Sequence, residues 1–193
     1  MRIHFQKIIR SSVPYQSDYH SYLESLRSDF HCTCGYCGKT EQVTKRGFEI
    51  DHFVPQRLDD SRVNDYSNLV YSCYNCNRKK SGKFPTEDKT KCHNGVIGVL
   101  DPASDEFDEN LERTEDGNIV GKTPLGVFIC DKIFEFSRRP MHEIWLAMQI
   151  IERKKKIHDK ISLQKIGEQE MQDYIDIDIK LGNLLDEFFN KGE

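Results

Sequence analysis

Nowhere does the 193-residue chain hold 18 consecutive apolar residues, so no membrane-spanning helix is expected. The opening Met1-Arg2-Ile3-His4-Phe5-Gln6-Lys7 has no apolar h-region, so no secretory leader is expected either. Excess positive charge is also missing. The formal net charge is −4, which excludes tight, unaided, nonspecific binding to nucleic acid through bulk charge. There is no internal repeat and no low-complexity tract. An even cysteine count is lacking too: the seven cysteines argue against a closed disulfide framework and favour a reducing, cytoplasmic setting. With 37% hydrophobic and 31% charged residues, the chain reads as one domain of ordinary size, or a small module with a helical extension.

Charge is unevenly spread. From Cys34 to Lys91 there are eleven Lys/Arg and eight Asp/Glu; from Asp159 to Glu193 there are four and nine. The first stretch is mildly basic. The acidic tail reads as a solvated helix face, or as a surface for a basic partner.

Two cysteine knuckles stand out. Cys34-Gly35-Tyr36-Cys37 opens a stretch that Cys73-Tyr74-Asn75-Cys76 closes. Two such pairs can supply four thiolates to one tetrahedral zinc at about 2.3 Å. A thioredoxin-like redox site would use one pair beside a βαβ pattern, and neither condition holds here. Cys32 ranks behind the four as a ligand, Cys92-His93 is weaker still, and Cys92 and Cys130 read as free thiols.

Between the knuckles, Phe48-Glu49-Ile50-Asp51-His52 alternates apolar and polar residues, the pattern of a short strand. A strand ending in Asp-His sends the two side chains to opposite faces, one toward a metal and one toward a substrate water. Asn77 follows the second knuckle at the start of a short helix through Lys80 that Gly82 could end. Its amide oxygen suits Mg²⁺ or Mn²⁺. The N-terminal amides of that helix, with Arg78, Lys79 and Lys80, suit a phosphate; Arg57 and Lys83 join them as candidate phosphate contacts.

Elsewhere the pattern predicts a helix over Ser17–Phe30, a strand over Gly95–Leu100, and a hairpin of Phe107–Glu115 with Asn118–Gly121 around the Asp116-Gly117 turn. Thr123-Pro124 should cap a helix running through Phe136. Pro140 should restart a second helix carrying Met141, Ile144, Trp145, Met148 and Ile151. A third, near Leu163–Phe189, should present Ile166, Met171, Tyr174, Ile175, Ile179, Leu184, Leu185 and Phe188.

The string CGYC … EIDHFVPQ … YSNLVYSCYNCNRKKSG, from Cys34 to Gly82, resembles the HNH-type (ββα-metal) endonucleases. That resemblance implies an α+β fold: a zinc-stapled ββα-metal HNH module embedded in a mostly helical domain with a small additional β-hairpin. The expected divisions are residues 1–31, an N-terminal helical segment; 32–94, the nuclease module; and 95–193, a hairpin plus helices. By the same resemblance, Asp51 and Asn77 ligate a catalytic Mg²⁺ or Mn²⁺, His52 is the general base, and Asn68 ties the hairpin loop together. The substrate would be DNA. Two other readings stay open, a non-catalytic zinc-stapled nucleic-acid-binding or adaptor module and an RNA-directed nuclease.

A second, looser resemblance covers the C-terminal part. Val99-Leu100-Asp101-Pro102, Asp116-Gly117-Asn118-Ile119-Val120-Gly121, Thr123-Pro124-Leu125-Gly126 and Ser137-Arg138-Arg139-Pro140 are similar to HNH effectors of Septu- and retron-type anti-phage systems. It implies a nuclease acting beside an ATPase partner.

Overall fold

The computed structural model describes residues 1–44, 46–162 and 167–190. The first predicted helix begins as a 3-10 turn, Tyr19–Tyr22, capped by Asp18, whose carboxylate accepts from the His20 amide at 3.0 Å. It continues as α1, Leu23–Asp29. Tyr22, Leu26 and Phe30, spaced four apart, are its buried stripe.

Strands β1 (Phe48–His52) and β2 (Leu69–Cys73) pair antiparallel, in register from Phe48↔Cys73 to His52↔Leu69. All five β2 residues are buried. Helix α2 (Tyr74–Lys80) follows β2 directly, with Cys73 extended at its N-cap. It ends at Ser81 (φ 45°) rather than at the expected Gly82.

The expected strand over Gly95–Leu100 does not form. Gly95 and Gly98 take φ of +90° and +146°, and the chain turns back on itself with only a His93–Gly98 bridge. The first strand of the predicted hairpin is also shorter. Asp105–Asn110 is a helix, α3, and only Leu111–Arg113 is strand β3. Asp105, Glu106 and Asp108 lie in the first turn of α3, where carboxylates meet the positive end of the helix dipole, and Phe107 is buried. Strand β4 (Ile119–Gly121) pairs with β3 as expected.

Thr123 caps helix α4 (Pro124–Phe128) by accepting from the Gly126 amide at 3.1 Å. The expected helix through Phe136 breaks earlier, into a π turn at Ile129–Ile133 and a 3-10 turn at Phe136–Arg138, with Glu135 left-handed between them (φ 50°). Tertiary contacts account for the detour. Glu135 pairs with Lys79 of α2 at 2.8 Å, and Phe134 stacks on Phe136 while leaning on Tyr36.

Helices α5 (Met141–Ser162) and α6 (Glu168–Asn190) form the predicted C-terminal pair. Met141, Ile144, Trp145 and Met148 bury the first turns of α5. On α6 the inward stripe is Tyr174, Ile177, Leu181 and Leu184, whereas Met171, Ile175 and Ile179, expected to share it, are exposed. Ile166 and the side chains of Leu185 and Phe188 lie outside the described residues.

The fold is α+β, two small antiparallel pairs among helices. One continuous apolar core draws on all three sequence segments, from Ile3 through Tyr36 and Val70 to Met148. Among the described residues, no helix is long and apolar enough to cross a membrane.

Candidate metal centre and catalytic seam

The first knuckle is a tight turn closed by the Gly38 amide donating to Cys34 O at 2.8 Å. Gly38 has φ +67°, and a Cβ there would sit 2.5 Å from Ile3 O, so glycine is required on both counts. Cys73 ends β2 and Cys76 lies in the first turn of α2. The four sulfurs of Cys34, Cys37, Cys73 and Cys76 are buried and all lie within 4.8 Å of one another. Cys37 Sγ and Cys73 Sγ are 3.8 Å apart, the edge expected for a tetrahedron with Zn–S bonds of about 2.3 Å. Four buried thiolates held this close repel one another, so they need a cation among them. The donor set fits structural zinc. Cys32, Cys92 and Cys130 stay outside it as free thiols.

Next to the knuckles, β1 faces α2 through two rungs. Glu49 and Asp51, two apart on the strand, share one face; Asn77 and Lys80, three apart on the helix, face back. Asn77 Nδ2 donates to Glu49 Oε2 at 2.5 Å. Lys80 Nζ lies 2.9 Å from Asp51 Oδ2 and donates to His52 O at 2.7 Å. The Tyr36 hydroxyl donates to the same Asp51 oxygen at 2.5 Å. Burial pushes the Asp51 carboxyl above the ordinary carboxylate range, while Lys80 and Tyr36 pull it back. Burial and the neighbouring Asp51 push the Tyr36 hydroxyl well up, so it remains a proton donor.

His52 points away from that seam, as strand alternation requires. Its Nε2 is 2.9 Å from Val63 O, and the Tyr19 ring meets it edge-on at 4.7 Å. A carbonyl only accepts, so Nε2 carries the proton and Nδ1 the lone pair. The Gln56 amide nitrogen sits 3.3 Å from Nδ1. Asn68, fully buried, accepts from Val54 N at 2.8 Å and donates to Val54 O at 3.1 Å and Arg62 O at 3.4 Å. These bonds cross the irregular connection between β1 and β2.

Residues 34–83 match the family model described as HNH endonuclease. Over this stretch, about a quarter of the chain, the sequence is similar to HNH endonucleases. No curated protein matches the chain.

A cleft of about 430 Å³ opens along the HNH domain beside Tyr19, His20, Glu49, Asn77 and Arg78. Of the five cations expected to meet phosphate, Lys80 is the clear correction. It is fully buried, because its ammonium compensates Asp51. Arg57 pairs with Glu87 at 2.6 Å, Lys79 with Glu135, and Lys83 donates to the carbonyls of Lys132 and Ile133. Arg78 lies over the Tyr74 ring and lines the cleft.

Sequence reasoning passed over Glu49, Tyr36, Gln56 and Tyr19. The signal for Glu49 was available, since it stands two residues before Asp51 on a strand.

Proposed function

We propose that the chain is a metal-dependent endonuclease that hydrolyses phosphodiester bonds in DNA. The observation that carries this reading is the HNH family match over a segment that holds the Asp-His doublet and Asn77, of which Asn77 lines an open cleft. Mg²⁺ or Mn²⁺ fits the donors. Asp51 engages Tyr36 and Lys80 through Oδ2, and Asn77 engages Glu49 through its NH₂, so Asp51 Oδ1 and the Asn77 carbonyl oxygen are outside those bonds. These two residues would hold the ion, which when bound supplies Lewis-acid stabilisation of the charge that develops on phosphate oxygens.

The chain's own groups do the rest. Val63 O fixes the His52 tautomer, which leaves Nδ1 to take the proton of the attacking water. Asn68 holds the loop that carries Val63 by binding Val54 and Arg62. Arg78 supplies positive charge at the cleft. The second sequence resemblance supports a finer version of the same reading, in which the chain is the cytoplasmic nuclease effector of an anti-phage system and works with an ATPase subunit; co-purification with a neighbouring ATPase tests that version.

The test of cleavage is plasmid nicking with Mg²⁺ or Mn²⁺, run beside His52→Ala. We expect the wild-type chain to cut and the variant to lose about 10²–10⁴-fold in rate while it stays folded and zinc-loaded. A wild-type chain with neither metal-dependent cleavage of DNA nor of RNA, yet able to bind them, would favour the adaptor reading. Cleavage of RNA alone would reassign the substrate.

A further inference from the structure

Two arginines from the C-terminal half reach the four cysteines. Arg139 is placed by the 3-10 turn Phe136–Arg138 and by Pro140, which opens α5. Its Nη1 donates to Cys76 Sγ at 3.2 Å, its Nη2 lies 4.0 Å from Cys37 Sγ, and its guanidinium rests over the Phe136 ring at 5.3 Å. Arg113, on β3, is fully buried. It donates through Nη2 to Cys37 O at 2.6 Å and through Nη1 to Gly117 O at 2.7 Å, and it lies over the Trp145 ring at 4.7 Å. Its Nε has no partner.

Neither arginine makes an ion pair with a carboxylate among the described residues. Arg57 and Lys80, by contrast, each have one, Glu87 and Asp51. Carbonyls and ring faces satisfy donors but do not neutralise a charge, and a buried guanidinium without a counter-charge is costly. Zn²⁺ bound by four thiolates carries a net charge of −2. Two guanidinium groups carry +2.

We propose that the zinc tetrathiolate is the counter-ion of Arg113 and Arg139, and that Arg139 is a positioning residue for the metal. Its N–H groups hold Cys76 and Cys37 as oriented thiolates. The pair also makes the packing of the 111–148 region depend on metal occupancy. This rests on the structural-zinc reading and not on catalysis, so an inactive enzyme leaves it untouched.

The test uses the full zinc-loaded chain, with two readouts: transfer of zinc to a chelating dye, and the thiolate-to-cobalt charge-transfer band after Co²⁺ exchange. For Arg139→Gln we expect zinc release about 10–100-fold faster, as when an outer partner of a metal ligand is lost. The band should move to lower energy, because sulfur lone pairs are no longer stabilised by N–H donors. Arg139→Lys, which restores charge without the planar fork, should fall between the two in both readouts. Arg113→Met should speed release with a smaller band shift, since Arg113 reaches the Cys37 carbonyl and not a sulfur. An arginine that only packs would lower thermal stability and leave the band in place. Folded Arg139→Gln and Arg139→Lys chains that release zinc within about twofold of wild type, with unshifted bands, overturn the proposal.

Discussion

Lys80 Nζ lies 2.9 Å from Asp51 Oδ2, with the lysine fully buried and the aspartate 5% exposed. The pair joins β1 to α2. Removing one partner leaves a buried charge uncompensated, which costs about 3–5 kcal/mol. Lys80→Met should therefore unfold at lower urea by about that amount. Asp51→Asn combined with Lys80→Met should lose much less than the two single changes added together. Urea titrations of the zinc-loaded single and double variants measure the coupling; strict additivity would show that the two charges do not depend on each other.

Asn68 makes three side-chain bonds in a fully buried position. Asn68→Ala strands the Val54 amide and its carbonyl, each worth about 1–3 kcal/mol when left unsatisfied. The expected result is a loss of stability of a few kcal/mol and faster hydrogen exchange at the Val54 amide. Cleavage should fall as well, because the same loop carries the Val63 carbonyl that fixes His52. A variant with native exchange at Val54 would remove Asn68 from this role.

Chelation should act on the fold before it acts on chemistry. The 34–83 stretch shares its apolar core with the flanking segments, and structural zinc sites of this kind contribute folding energy directly. Stripping zinc from the wild-type chain, or making Cys73→Ser, should abolish the cooperative melting of the HNH domain. Excess Mg²⁺ should not restore it. A metal-free chain that melts at the wild-type temperature would argue against the staple.

His4, near Cys37 and Arg113, offers a pH prediction of its own. It is 7% exposed, packs on Phe107, and burial lowers its pKa to about 4 from an ordinary 6.5. Between those values the unfolded chain binds the proton and the folded chain does not. The contribution is therefore complete above about pH 6.5 and is lost as pH falls toward 4. From pH 7 to pH 5 this group alone should remove about 2 kcal/mol of stability. His4→Gln should flatten that part of the pH profile, read from urea midpoints at fixed zinc; an unchanged slope would place the titration elsewhere.

The parts of the site that were legible from the chain are the ones written in short spacing. CxxC turns, an alternating strand that ends in Asp-His, and a helix that starts on a knuckle are local patterns, and the β1–β2–α2 unit follows them. What escaped depended on which face meets which. Lys80 looked like surface charge because its neighbours Arg78 and Lys79 are, yet its position on α2 turns it inward to Asp51. Residues 107–110 read as the start of the Phe107–Glu115 strand because of the Asp116-Gly117 turn that follows, but the carboxylates from Asp105 onward suit a helix N-terminus better. Glu135 could not be read as left-handed, since its partner Lys79 lies 56 residues earlier.

The spacing of the metal ligands also orders events during synthesis, when a chain emerges from its N-terminus. All four thiols precede β3 and the start of α5 along the chain, so they leave the ribosome before Arg113 and Arg139 do. An ion captured then would sit for a time in a nascent domain whose excess negative charge is bare. Arg113 and later Arg139 would reach it as the last pieces, so completion of the polypeptide would itself seal the ion in.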